Sequence, residues 1–265
     1  MRPATMITEN MALTALEKRH SVRSFSIEAI PASVVNKLKA EISMTNSHEQ
    51  GMRFQLILND SAPFDRYSHS YGLFRNVRNY LAAVVDVATP DAYERAGYFA
   101  ERFVIKAVGL GLGTCFVSGT FDASKAPVQV RAGEKILFLV ALGIPEGKSR
   151  VVARLLAGFT HRKGMDVSDF FEPASELGDA CREFPELYDG LMAVGCAPSA
   201  MNRRPVRLFI DRRSGKRTVC ARVKPGDNSF LIDLGIAKYN YNSATSTFCA
   251  WGNGAPLDDS VEDEW

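Results

Sequence analysis

The chain has 265 residues, 46% of them hydrophobic and 23% charged. That composition lies outside the disordered range, and the length suffices to bury a core without metal or disulfide staples. The 32 basic and 30 acidic residues leave a net charge of +2, which argues against a nucleic-acid binder built on global charge.

In chain order, "NMALTALEKRH" carries leucines at 13 and 16 and fits a short amphipathic helix ending near His20. A second helix is predicted after "IPAS". Pro31 suits its first turn, and Val34, Val35, Leu38 and Ile42 mark one face at helical spacing. "MRFQLILN" (52–59) and "YLAAVVDVA" (80–88) read as strands, the second fully buried. From Thr89 a long central helix is predicted, with Thr89 as N-cap, Pro90 at N1 and Gly109, Gly111 and Gly113 ending it. Those glycines follow a helix and lack G-x-G-x-x-G spacing, so they are no dinucleotide fingerprint.

"TCFVSG" and "EKILFLVALGI" read as buried strands separated by a helical turn in "DASKAPVQV", and "DVSDFFE" closes a first half near residue 172. Helices follow at "SELGDACREF" and "PELYDGLMAVGC", then the loop "APSAMN". Strands "PVRLFID" and "RTVCARV", a helix at "FLIDLGIAKYNYN" and a last strand "TFCAWG" complete the series. The order helix, helix, loop, strand, strand, long helix starts near residue 9 and again, shortened, near residue 175. We read it as a degenerate internal duplication in an α+β fold.

Five cysteines, at 115, 181, 196, 220 and 249, and four scattered histidines show no metal-ligand spacing. Reduced thiols are the simplest account, and no metal site is expected. The longest apolar run, 136–144, is too short to cross a bilayer, and the N-terminus lacks the apolar core of a signal peptide. The expectation is a cytoplasmic protein with no membrane or nucleic-acid partner. The acidic stretch 257–265 reads as a solvated tail.

Three short stretches carry candidate chemistry. "RHSVRSF" (19–25) gathers Arg19, Ser21 and Arg23, two guanidiniums and a hydroxyl suited to a phosphate. A solvated basic turn at a helix end explains the same spacing, and spacing alone favours it. "THRKGMDVSDFFE" offers Arg162 and Lys163, which alone would be a surface pair. "FVSGTFD" sets Ser118 and Gly119 at a strand end, where glycine admits close approach of a flat ligand, although an ordinary turn would look the same.

Together these stretches resemble the nitroreductase family of flavin enzymes. "RHSVRSF" matches its R-[RH]-S-x-R-x-F motif, "APSAMNRRP" its A-P-S-x-x-N-x-[QR]-P loop, and "GLGLGTCFVSGTFD", "ALGIPEG" and "HRKGMDVSDFF" its later stretches. The order departs from the family. The proline-serine loop usually follows the arginine motif closely, yet here the early position, "ISMTNSHEQGMRFQLI", retains only Asn46 and Ser47, and the good copy sits at 197–202.

The resemblance implies a nitroreductase-like fold, a mixed, mainly antiparallel sheet wrapped by helices, with two unequal halves mimicking the family's homodimer. Residues 12–172 would carry most of the FMN site and 173–256 would supply the loop. Arg19, His20, Ser21, Arg162 and Lys163 would lie near the FMN phosphate. Arg23, with Arg75 as an equivocal helper, would lie near the flavin pyrimidine. Ser118 and Gly119 would face flavin N5, and Pro198, Ser199, Ala200 and Asn202 the ribityl chain and ring edge. No side chain is expected to act as a nucleophile. NADH or NADPH would be a transient donor and a nitroaromatic, quinone or similar small molecule the acceptor. One flavin site per chain would survive, in a protein able to stay monomeric because its dimer is internal. A flavin-binding or flavin-processing protein without such turnover is the alternative within the fold.

Overall fold

The computed structural model describes residues 14–65, 74–146, 166–212 and 215–257. The chain divides into two compact units. One comprises Lys18–Ala92 and Arg102–His161, the other Met1–Glu17, Tyr93–Glu101 and Arg162–Trp265. We call them the sheet unit and the hairpin unit.

The sheet unit holds β1 (Met52–Leu58), β2 (Asn79–Asp86), β3 (Gly113–Val117) and β4 (Glu134–Gly143) in the order β1-β2-β4-β3, every neighbouring pair antiparallel. In the central β2 the run Tyr80–Val85 is buried without alternation, as a strand covered on both faces requires. Helix α1 (Ala32–His48) turns Leu38 and Ile42 inward, the face expected from their spacing, and Pro31 stands just before its first turn. Glu41 on the same face is buried, held by Arg102 at 2.7 Å and Lys106 at 2.6 Å from α2 (Ala92–Gly109).

The expected threonine cap of α2 is not the one found. Asp91, in the left-handed region at φ 58°, precedes the first turn. The Thr89 side chain packs instead against Gly51, leaving no room there for a β-carbon. Its backbone closes a turn, accepting from Ala92 N–H and donating to the Asp86 carbonyl.

The hairpin unit is built from α3 (Leu177–Glu183), α4 (Leu187–Cys196), β5 (Arg207–Asp211), β6 (Thr218–Arg222) and α5 (Ser229–Thr245), with Tyr93–Glu101 of α2. Its core gathers Phe170, Phe171, Leu187, Leu191, Leu208 and Tyr241. The segment 247–252, expected as a last strand, is none. The Lys238 ammonium takes the Ala250 and Gly252 carbonyls at 2.8 and 3.0 Å, and the Glu94 carboxylate accepts from Gly252 N–H at 3.0 Å. The polar groups a ladder would use are spent on a buried ion pair, Lys238 Nζ to Glu94 Oε1 at 2.5 Å, with both side chains at most 1% exposed.

Among the described residues no helix is long and apolar enough to cross a membrane.

Candidate functional site

Residues 14–18 are helical, and the sheet unit begins at Lys18, after which the chain passes beside β3. Ser21 bridges Thr114, with Val22 N–H donating to the Thr114 carbonyl at 2.8 Å, and Ser26 N–H reaches the Ile144 carbonyl. This seating explains two glycines. Gly113 meets Val22 and Gly143 meets Phe25 so closely that a β-carbon at either would force a shift. Arg19, Ser21 and Arg23 alternate along this segment and share one surrounding. Arg23, the Ser21 hydroxyl and Arg19 each favour the Cys115 thiolate. Burial nonetheless dominates and pushes the Cys115 thiol up, so the thiol stays protonated and is no nucleophile.

Backbone pairing carries Arg75 to the same segment. Arg75 N–H donates to the Arg23 carbonyl at 2.8 Å, and Phe25 N–H to the Arg75 carbonyl at 3.1 Å. The Arg75 guanidinium lies 3.7 Å from Glu146, which also accepts from Ser24 Oγ at 2.9 Å, so part of its charge is already answered. His20 is half-buried, its Nδ1 3.0 Å from the Lys18 carbonyl. Ser118 and Gly119 follow β3 on the exposed surface, and a β-carbon at Gly119 would meet nothing within 4 Å. Arg162 and Lys163 lie outside the described residues.

In the hairpin unit, Pro198, Ser199, Ala200 and Asn202 form a tight loop after α4. Asn202 N–H donates to the Ser199 carbonyl at 2.9 Å, and Arg204 N–H to Ser199 Oγ at 2.9 Å. Met201, Asn202 and Arg204 all occupy the left-handed region, at φ 51°, 55° and 48°. Asparagine tolerates this region, but Met201 and Arg204 cost on the order of 1 kcal/mol or more each there, and strain of this kind collects at ligand-holding loops. Met201 is 77% exposed, so no core packing accounts for its conformation.

Asp233 was not legible as a site residue. It is 5% exposed within the apolar run of α5, its Oδ1 accepts from Ala200 N–H at 3.4 Å, and its Oδ2 has no hydrogen-bond partner among the described residues. Burial pushes its carboxyl up to about 7, with Asp227 adding to the rise, while Ala200 N–H and Arg203 oppose it. A lone acid between Ile232 and Leu234 was the available signal. Asn46, by contrast, is no remnant loop. It lies in α1 and clamps β1, donating to the Phe54 carbonyl at 2.9 Å and accepting from Phe54 N–H at 2.8 Å. No group of metal-ligating side chains occurs among the described residues.

The family model described as "Putative TM nitroreductase" matches residues 12–245. The chain belongs to this nitroreductase family. The crystal structure of a putative nitroreductase from Thermotoga maritima is 20% identical, with TM-score 0.57 over 88% of this chain and 82% of that one, and shows the fold. An FMN-dependent nitroreductase from Clostridium difficile is 15% identical over 51% of this chain and 88% of its own, with TM-score 0.42. A nitroreductase in complex with FMN from Desulfovibrio desulfuricans is 20% identical over 51% and 87%, with TM-score 0.39. No curated protein matches the chain. As a nitroreductase it is an oxidoreductase on an α+β fold, and its two described sheets are antiparallel.

Proposed function

We propose that this nitroreductase is an FMN-dependent enzyme that takes hydride from NADH or NADPH and passes it to a nitroaromatic, quinone or similar acceptor. The observation that carries the reading is the run Arg19, Ser21, Arg23 fixed against β3 by the Ser21–Thr114 bridge, with the open Ser118–Gly119 turn at the end of the same strand. Two guanidiniums and a hydroxyl are the donor set a phosphate and an electron-rich ring edge require, and the residues present fit the group.

FMN, when bound, supplies the two-electron chemistry at its N5. The residues do the rest. Arg19 and Ser21 hold the phosphate, with His20 beside them and Arg162 and Lys163 as further cations. Arg23, helped by Arg75, stabilises negative charge at the pyrimidine edge and so makes reduction easier. Ser118 and Gly119 offer backbone N–H groups, and Gly119 keeps the turn open because it has no side chain. Pro198, Ser199, Ala200 and Asn202 present a preset loop to the ribityl chain and ring edge. Cys115, kept protonated, is a packing residue.

We also propose that the chain is an internal dimer with one surviving flavin site. Helices α2 and α5 support this. A β-carbon at Gly97 would fall 2.2 Å from the Ile232 carbonyl oxygen, and one at Gly235 1.9 Å from that of Glu94. Each glycine meets the carbonyl three residues before its counterpart, the reciprocal pattern of a two-fold contact. Steady-state oxidation of NADH and NADPH by FMN-loaded protein, with a quinone and a nitroaromatic in turn, tests the activity. Flavin binding without turnover by any donor and acceptor pair would sink it in favour of a binding or processing role.

A further inference from the structure

The β5–β6 register sets Arg207 directly opposite Arg222. Like charges so opposed destabilise a hairpin, and Glu172 bridges them at 3.8 and 2.5 Å. Phe209 shares that strand face, its ring 4.6 Å from the Arg222 guanidinium. Lys224, beyond the end of β6, and Arg203 and Arg204, at the end of the strained loop, add three exposed cations that form no ion pair among the described residues. All five cations line one cleft of about 870 Å³, against two carboxylates, Glu172 and Asp211, and beside the aromatic rings of Phe209 and Phe230. That volume falls within the range of small-molecule sites.

We propose that this cleft binds a nucleotide through its phosphates, at a site separate from the residues assigned to FMN. An excess of cations gathered at the cost of an opposed arginine pair is explained by an anion that neutralises them. Guanidinium forks take phosphate oxygens two at a time, and a di- or triphosphate carries enough negative charge and oxygens to answer several of these cations at once. The aromatic walls and the guanidinium lying over Phe209 suit a flat base better than a bare inorganic ion. Arg204 joins the cleft to the strained loop, since its backbone N–H is the donor to Ser199 Oγ, so an occupant is placed to be felt there. The proposal does not depend on the flavin reading.

The test is calorimetric titration of the FMN-treated protein with ADP, adenosine and inorganic pyrophosphate in parallel, on wild type and on the double variant Arg222→Gln/Lys224→Gln. Saturable binding of ADP at one per chain is expected, with pyrophosphate weaker and adenosine weaker still. The variant should bind ADP about tenfold or more weakly, the effect of losing a charge-assisted hydrogen bond, while its flavin absorbance per chain stays that of wild type. No saturable binding of ADP, or equal affinity in the variant, overturns the site. Pyrophosphate binding as tightly as ADP overturns the nucleotide assignment, and loss of flavin from the variant overturns the separation of the two sites. A protein that holds no flavin but binds ADP as described would refute only the FMN reading.

Discussion

Replacing Lys238 by methionine tests how the hairpin unit is held. Lys238 Nζ contacts Glu94 Oε1 at 2.5 Å and the carbonyls of Ala250 and Gly252 at 2.8 and 3.0 Å, with the ammonium wholly buried. Methionine preserves the volume but removes the Lys238 cation from a buried carboxylate and that donor from two carbonyls. Breaking one side of a buried pair costs about 3–5 kcal/mol, and each orphaned carbonyl adds at most about 1–3 kcal/mol. These overlap, because the Glu94 carboxyl can take up a proton. A loss of about 4 kcal/mol is therefore expected, a large part of the ~5–15 kcal/mol a domain has in total. Adding Glu94→Gln removes the stranded charge and should recover about 2 kcal/mol, so the two changes are strongly non-additive. Urea unfolding, followed by far-UV circular dichroism and by tryptophan fluorescence, measures both. Trp251 packs against Tyr98, with ring centroids 5.3 Å apart, and so helps report this unit. A Lys238→Met midpoint shift equivalent to less than about 1 kcal/mol at unchanged denaturant slope would show that the buried pair does not hold this unit.

Gly235→Ala drives a β-carbon into the Glu94 carbonyl and should cost about 3 kcal/mol or more, seen as a lowered urea midpoint. Asp233 carries a folded-state pKa of about 7, raised chiefly by burial. Its contribution is fully present below the ordinary carboxylate range and is lost as pH rises toward 7, on the order of 4 kcal/mol at most. Asp233→Asn should therefore flatten stability between about pH 4 and pH 7, a change read from urea midpoints across that range. Arg19→Gln should weaken FMN binding about tenfold or more by removing a charge-assisted phosphate contact. Arg23→Gln should chiefly lower the flavin reduction potential, which dye equilibration at fixed pH measures.

Local pattern made much of the fold legible. The apolar stripe of α1, the unbroken run of β2 and the glycine-terminated α2 each announce their burial within a few residues. Other features depend on partners remote in sequence. Thr89 has the chemistry of a cap, yet packing on Gly51 claims its side chain. Residues 247–252 have strand propensity, yet the pair of Lys238 with Glu94, 144 residues away, takes their backbone groups. Asp233 was hidden for the same reason, since its importance comes from the Ala200 N–H it meets after folding. The candidate site was legible as motifs, while the pairing of Ser21 with Thr114 and of Arg23 with Arg75 needed the structure.

The most direct measurement is the visible spectrum of the purified protein during titration with FMN, followed by anaerobic addition of NADH or NADPH. Saturation at one flavin per chain is expected, with loss of the oxidised flavin band on addition of at least one donor. A protein that stays colourless after FMN would contradict it, and two flavins per chain would contradict the loss of the second site.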